Sequence, residues 1–173
     1  MNRPRVALLC AAALCTAAAH SADRVKVQEL VLASRADIPL VGLFKEAIRE
    51  RLGGKSPQQT ACYQDIPADA FQKAAVEYLA VTLEDTDVAQ GLAFYATPVG
   101  KKVAANNHPD IGQPPPLGLD RQEFEQNEAF SLTRAGNELL APNGLLQSRQ
   151  VKKHFEALFA RKWKECGAPP KPG

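Results

Sequence analysis

The stretch 94-FYATPVG-100 places an aromatic pair, a Thr-Pro dipeptide and a glycine in a segment whose flanks have helical spacing. A threonine before a proline is typical of a helix start, because the hydroxyl caps free amides and Pro98 suits the first helical turn. Proline also keeps Thr97 out of the α region, so the helix that carries Phe94 and Tyr95 ends or bends there. Gly100 follows one turn later, where a missing Cβ lets two helices approach closely. The stretch therefore predicts a corner between two helices, with structural roles for these residues.

The same pattern recurs 36 residues later, in 130-FSLTRAG-136. Phe130, Thr133 and Gly136 repeat the F-x-x-T-x-x-G spacing of the first stretch. The helix before this second corner is predicted to begin at Asp120, which fits a capping box with Glu123. Two copies of one supersecondary unit that face each other would each bury the other's apolar side. A chance alignment in a chain rich in alanine and leucine is the alternative, and the sequence does not decide between them.

Apolar residues at helical spacing dominate the rest of the chain. One stripe precedes Gly53-Gly54, a pair that suits the end of a helix, and consists of Val41, Phe44, Ile48 and Leu52. A shorter helix is predicted over residues 25–34. Another is predicted to begin at 65-DIP-67, with a buried face formed by Phe71, Ala75 and Tyr78. No stretch alternates apolar and polar residues long enough for a strand, so we predict an all-α compact helical bundle or array with two corner units.

The last predicted helix has the widest apolar face. Its members, all expected to be buried, are Val151, Phe155, Leu158, Phe159 and Trp163. Gly167 and the prolines after it end this helix. We therefore predict one helical domain over residues 23–166, divided by the proline-rich connector 109-PDIGQPPPLG-118, and a disordered tail over residues 167–173.

The first 22 residues, MNRPRVALLCAAALCTAAAHSA, have the layout of a secretory signal peptide. Arg3 and Arg5 precede an apolar run that is shorter than the roughly 20 residues needed to span a membrane. Cleavage is predicted after Ala19, Ser21 or Ala22. No later stretch reaches spanning length, so the sequence predicts a soluble periplasmic protein without a transmembrane segment in the mature chain.

Charge and cysteine content narrow the function classes. The signal peptide removes two arginines and no acid, so the mature chain has equal numbers of basic and acidic residues. A neutral chain lacks the basic footprint of a nucleic-acid-binding protein. Of the four cysteines, Cys62 and Cys166 lie beyond the signal peptide. An even pair in an oxidising compartment favours a disulfide, and two unpaired thiols are the alternative.

The segment 83-LEDTDVAQGLAFYATPVGKKVA-104 resembles the signature of the domain-of-unknown-function 2059 family of bacterial envelope proteins. The similarity covers about residues 71–140 and consists of an acidic helix start, an apolar helix and then F-Y-x-T-P-x-G-K-K. The chain departs from the family at Leu83-Glu84, where an aromatic-Thr pair is usual, and at Gly91, where a larger apolar residue is expected. The resemblance implies a small, secreted helical domain and implies no particular activity.

The sequence contains no recognisable catalytic or metal-binding motif. His108 and His154, the two histidines of the mature chain, are far apart and lack the spacing of metal ligands. We therefore predict a non-enzymatic protein without a cofactor, which binds a partner or supports the envelope. The first alternative is a carrier with a pocket for a small apolar ligand between the two corners, lined by Phe94, Tyr95, Phe130 and Leu139. An enzyme whose site is assembled from isolated residues is the second alternative.

Charge is distributed unevenly between two segments. Residues 149–165 contain six basic residues and two acids, whereas residues 120–138 contain five acids and two basic residues. One interpretation is that these are two solvated faces that attract each other. The other is that the basic helix binds an anionic envelope component, such as lipid head groups or a polyanionic glycan, or an envelope protein, through Lys152, Lys153, Lys162 and Lys164.

Overall fold

The computed structural model describes residues 21–52, 57–67, 69–107, 117–141 and 143–167. Within these ranges the chain forms helices and no strand, which confirms the predicted all-α fold. Outside the described residues lie most of the predicted signal peptide, most of the proline-rich connector, Gly53-Gly54 and residues 168–173 of the predicted tail. The helices are α1 Arg24–Ser34, α2 Ile38–Leu52, α3 Pro57–Gln64, α4 Gln72–Thr82, α5 Asp85–Ala96, α6 Pro98–Ala105, α7 Arg121–Ser131, α8 Arg134–Leu140, a 3-10 helix Leu145–Gln147, and α9 Arg149–Cys166.

Helix α1 begins and ends at residues suited to those positions. The Asp23 carboxylate accepts a hydrogen bond from the Val25 amide at 2.9 Å and so satisfies one free amide of the first turn. At the other end, Arg35 is left-handed, with φ of 54°, and its amide donates to the Leu32 carbonyl at 3.3 Å. This reversal ends α1 and leads directly into α2.

The segment before α4 differs from the prediction. The helix expected to begin at Pro67 begins at Gln72, and the short helix α3, which the sequence analysis did not predict, precedes it. Phe71 lies just before the first turn of α4 and is still fully buried, together with Ala75, while Tyr78 is half-buried. The predicted buried face is therefore present, although the helix that carries it starts five residues later than proline suggested.

Buried apolar side chains form one contiguous cluster. Helix α1 lies against α4 and α5, and α9 lies against α3 and α4. The Phe71 ring lies in this cluster, with ring centroids 5.7 Å from Phe44 and 4.7 Å from Phe155. The aromatic contacts therefore join α2 and α9 to the segment that leads into α4.

The two F-x-x-T-x-x-G stretches form the same local structure. The Thr97 hydroxyl accepts a hydrogen bond from the Gly100 amide at 3.0 Å and donates to the Phe94 carbonyl at 2.6 Å, at the junction of α5 and α6. Thr133 makes the equivalent bonds at 3.0 and 2.7 Å between α7 and α8. Each threonine thus satisfies an amide of the second helix while it holds the last turn of the first.

The two corners face each other across stacked rings. Phe94 and Phe130 lie with centroids 3.8 Å apart and planes 8° apart, and Tyr95 meets both edge-on. Salt bridges flank this stack: Lys102 of α6 contacts Glu123 of α7 at 2.6 Å, and Arg134 of α8 contacts the acidic start of α5 at 3.3 and 3.7 Å. In each case a cation from the second helix of one unit meets an acid at the start of the first helix of the other.

Candidate functional site

The outer surface of α9 carries a cluster of exposed basic side chains. Lys152, Lys153, Lys164 and Arg149 are exposed and fall within an arc of about 120° on a helix of 3.6 residues per turn, with one acid, Glu156, among them. We call these four basic side chains the basic face. The Ser148 hydroxyl accepts from the Val151 amide at 3.2 Å and caps the helix, so the face begins at a defined first turn.

Lys162, predicted to belong to the anion-binding surface, does not share the basic face. The residue is only 8% exposed, and its Nζ lies 3.0 Å from Glu165 Oε2. It follows Val151 by eleven positions and Leu158 by four, so it falls on the buried stripe of the helix. Its aliphatic stem therefore lies on the core side and its charge is paired within α9.

Trp163, predicted to be buried, is 41% exposed. It lies about 120° around the helix from Val151, at the margin of the apolar face and not at its centre. Its ring meets the half-buried Phe159 edge-on, with centroids 5.7 Å apart, and the Arg51 guanidinium of α2 lies 4.7 Å from the Phe159 centroid. Arg51, Phe159 and Trp163 thus form a cationic and aromatic edge beside the basic face, which we call the aromatic edge.

The inner side of α9 is held by aromatic contacts. Phe155 is half-buried between Phe44 and Phe71, with centroids at 5.4 and 4.7 Å. His154 is half-buried, and its ring lies 5.2 Å from that of Phe71. These contacts fix the rotation of α9 about its axis and so determine which side chains face outward.

The C-terminal end of α9 is joined to α3. Cys62 and Cys166 lie with their Cα atoms 5.8 Å apart and their sulfurs bonded, which is the pair that the sequence favoured. The neighbouring Tyr63, fully buried, donates from its hydroxyl to the Gly167 carbonyl at 2.9 Å. Both contacts hold the end of α9 that carries Trp163.

The space between the two corners, where the carrier hypothesis placed a pocket, is filled. Phe94 and Phe130 stack directly on each other, and Leu139 packs against the core cluster. Three of the cavities elsewhere in the described part of the chain have volumes of about 50, 230 and 430 Å³. The first is smaller than the roughly 300–1,000 Å³ of ligand sites, and polar and charged side chains line most of the other two. None of the three suits an apolar ligand.

Two tyrosines are held in their protonated form. Burial raises the pKa of Tyr78 to about 12, and its 2.6 Å hydrogen bond to the Glu138 carboxylate adds to that shift. Burial also raises the pKa of Tyr95, whose hydroxyl is enclosed without a hydrogen-bond partner among the described residues. Tyr78 therefore acts as a donor that ties α4 to α8.

Metal ligands are not grouped in the described ranges. No set of three histidine, cysteine or acidic side chains is close enough there to hold an ion. His108 lies outside the described residues. None of the described helices combines the length and apolar character needed to cross a bilayer.

Comparison with known proteins finds a family match over the part of the chain that contains the first corner. Residues 69–109, which include α4, α5 and α6, match a family described as an uncharacterized protein conserved in bacteria (DUF2059). The match ends before α7, so the second corner lies beyond it. No curated protein and no solved structure matches the chain. The resemblance seen in the sequence is thereby confirmed over residues 69–109, which are similar to the DUF2059 family.

Proposed function

We propose that this protein is a non-enzymatic binding module of the bacterial envelope, and that the basic face of α9 binds an anionic partner there. The observation that carries the proposal is the concentration of exposed cations on one helix of a chain whose basic and acidic residues otherwise nearly balance. Such a patch raises the local concentration of an anionic partner and speeds its association.

The cations of the basic face differ from those of the corners in their partners. Lys102 and Arg134 contact carboxylates of the opposite corner unit. In contrast, among the described residues, no carboxylate lies within 4.0 Å of the charged groups of Lys152, Lys153, Lys164 or Arg149. These four charges are therefore available to an external anion.

The acidic surface of α7 does not neutralise the basic face. Glu123 of α7 contacts Lys102, and Glu125 contacts Arg121 of the same helix. No ion pair within the described ranges joins α7 to α9. The interpretation that the two charged segments attract each other within the fold is thus less well supported than an external partner.

The position of α9 suits a rigid recognition surface. Its inner side packs on the aromatic cluster around Phe71, and its last turn is bonded through Cys166 to α3. A surface held in this way loses little conformational freedom when a partner binds. Surface cations held on a fixed helix can therefore bind a polyanion with modest affinity and strong dependence on salt.

A charge-matched pair of variants tests the proposal. We expect replacement of Lys152, Lys153 and Lys164 by glutamine to abolish binding to vesicles of phosphatidylglycerol and to heparin, a soluble polyanionic glycan. The control replaces Lys26, Lys73 and Lys101 by glutamine, since these exposed lysines lie on three other helices and give the same change in net charge.

The control triple variant should bind like the unmodified protein at low salt. Binding of both proteins should fall steeply toward physiological salt, because the reach of exposed charges is there reduced to about 8 Å. Equal losses in the two triple variants would contradict a local site. Absence of binding by the unmodified protein at low salt to both probes would remove the proposal. Mass spectrometry of protein purified natively from the periplasm would then look for an envelope protein as the partner.

A further inference from the structure

The aromatic edge lies on the same outward side of α9 as part of the basic face. Trp163 is adjacent to Lys164 in sequence, and Lys152 projects from nearly the same direction about three turns earlier. The Trp163 ring is held in place by Phe159, with ring centroids 5.7 Å apart, and the Arg51 guanidinium in turn lies 4.7 Å from the Phe159 centroid. An exposed indole is thus held beside several cations on one helix.

We propose that the anionic partner of α9 is a lipid surface, and that Trp163 enters its head-group region as an anchor while the basic face contacts the lipid phosphates. This inference rests on the proposed function and specifies its partner. Indole has an apolar body and a polar N–H group, so it favours the boundary between hydrocarbon and water. Basic side chains beside such a ring are typical of peripheral membrane helices.

The basic face is long enough to contact several lipid phosphates of a flat membrane surface. The basic face runs from Arg149 to Lys164, about 22 Å at 1.5 Å per residue, along one continuous helix. Lipid phosphates in a membrane plane can meet all of these cations at once. Each basic residue near an anionic membrane raises the affinity about fivefold, so three lysines account for about a hundredfold.

Membrane contact through this surface would be shallow. The apolar stripe of α9, with Val151 and Leu158, is buried in the protein core and cannot enter a bilayer without unfolding. Trp163 is therefore the aromatic anchor that this helix offers to a membrane, and its transfer from water adds about tenfold in affinity. Binding is expected to be reversible and to weaken with salt.

The chain contains one tryptophan, so its fluorescence reports on Trp163 alone. We expect the emission to shift to the blue when phosphatidylglycerol vesicles are added at low salt, and to be quenched by lipids brominated near the head group. Phosphatidylcholine vesicles and heparin should not produce the shift. An unchanged emission with bound vesicles would overturn the inference.

Two aromatic substitutions provide the matched comparison. Trp163→Ala should weaken vesicle binding about tenfold in sedimentation and leave heparin binding unchanged, with circular dichroism confirming that the variant is folded. Phe124→Ala is the control, because Phe124 is 57% exposed on the acidic helix α7 and should not contact an anionic membrane.

The outcomes separate this inference from the proposed function. Loss of all anion binding in the triple lysine variant, with unchanged vesicle binding in Trp163→Ala and no blue shift, would overturn the membrane anchor and leave the anion-binding face in place. Binding of heparin without binding of vesicles would also overturn it and identify a polyanionic glycan as the partner. Absence of binding to both probes would remove both proposals.

Discussion

Substitution of Gly100 by alanine is the sharpest test of the corner geometry. A Cβ built at this position would lie 2.6 Å from the Cα of Tyr95 and would also overlap the carbonyl oxygen of Phe94. Both are backbone atoms, so neither can move aside by a change of rotamer. The end of α5 and the start of α6 would have to separate.

The sign of the effect distinguishes this account from ordinary helix propensity. Alanine in a helix is favoured over glycine by about 0.5–1 kcal/mol. If there were free space around position 100, the substitution would therefore stabilise the protein. Overpacking against backbone costs about 1–3 kcal/mol, and distortion of the Thr97 cap adds to that cost. We therefore expect Gly100→Ala to lower the free energy of unfolding by about 1–3 kcal/mol.

Urea unfolding followed by circular dichroism measures this difference, and the melting temperature should fall by roughly 2–4 °C per kcal/mol. Gly136→Ala should behave alike, because its Cβ would lie 2.9 Å from the Cα of Ser131. Gly91→Ala is the control: its Cβ would meet the Leu30 side chain, which can move, and the cost should be near zero. Stabilisation by alanine at Gly100 would refute the proposed close approach.

Three further predictions concern the cap, the disulfide and the mature terminus. Thr97→Ala should lower the free energy of unfolding in urea by about 1 kcal/mol, because the Thr97 hydroxyl caps α6. An unchanged urea midpoint would argue against that role. Replacement of Cys62 and Cys166 by serine should lower the free energy of unfolding by about 4–5 kcal/mol, because the bond closes a loop of 104 residues. Non-reducing peptide mapping of natively purified protein should find the pair joined, and two alkylatable thiols would contradict this. N-terminal sequencing should find cleavage after Ala19, because Ala22 is 4% exposed and its amide donates to the Ala80 carbonyl of α4. A mature chain that begins at Asp23 would show that the fold does not need this contact.

Local chemistry made the corners predictable from the sequence. Thr97, Pro98 and Gly100 each have a backbone preference that acts within one turn, so their order alone indicates where one helix ends and the next begins. Asp120 and Glu123 are equally local: Glu123 accepts from the Asp120 amide at 3.1 Å, as the capping box predicts. The fold class follows from the same kind of information.

The candidate site depends on tertiary contacts that the sequence does not contain. Whether Lys162 or Trp163 faces solvent depends on which arc of α9 is covered by α3 and α4. The charge pattern placed Lys162 on the outer surface and the apolar pattern placed Trp163 in the core, and both placements were wrong. The position of Lys162, four residues after Leu158, was the signal that could have shown its burial. Helix α3 was missed because its eight residues have no apolar period, and its place is fixed by Cys62 and Tyr63 through contacts with the far end of the chain.

The most direct test of the central claim is to map the anion-binding surface by NMR. Backbone amide shifts of the isotope-labelled protein would be followed as phosphatidylglycerol bicelles or heparin are added at low salt. We expect the perturbed amides to cluster on α9 around Lys152, Lys153 and Lys164, and the α7 amides near Phe124 to stay unchanged. Perturbation centred on another helix, or shifts spread evenly over the protein, would contradict the assignment of the basic face as the binding surface.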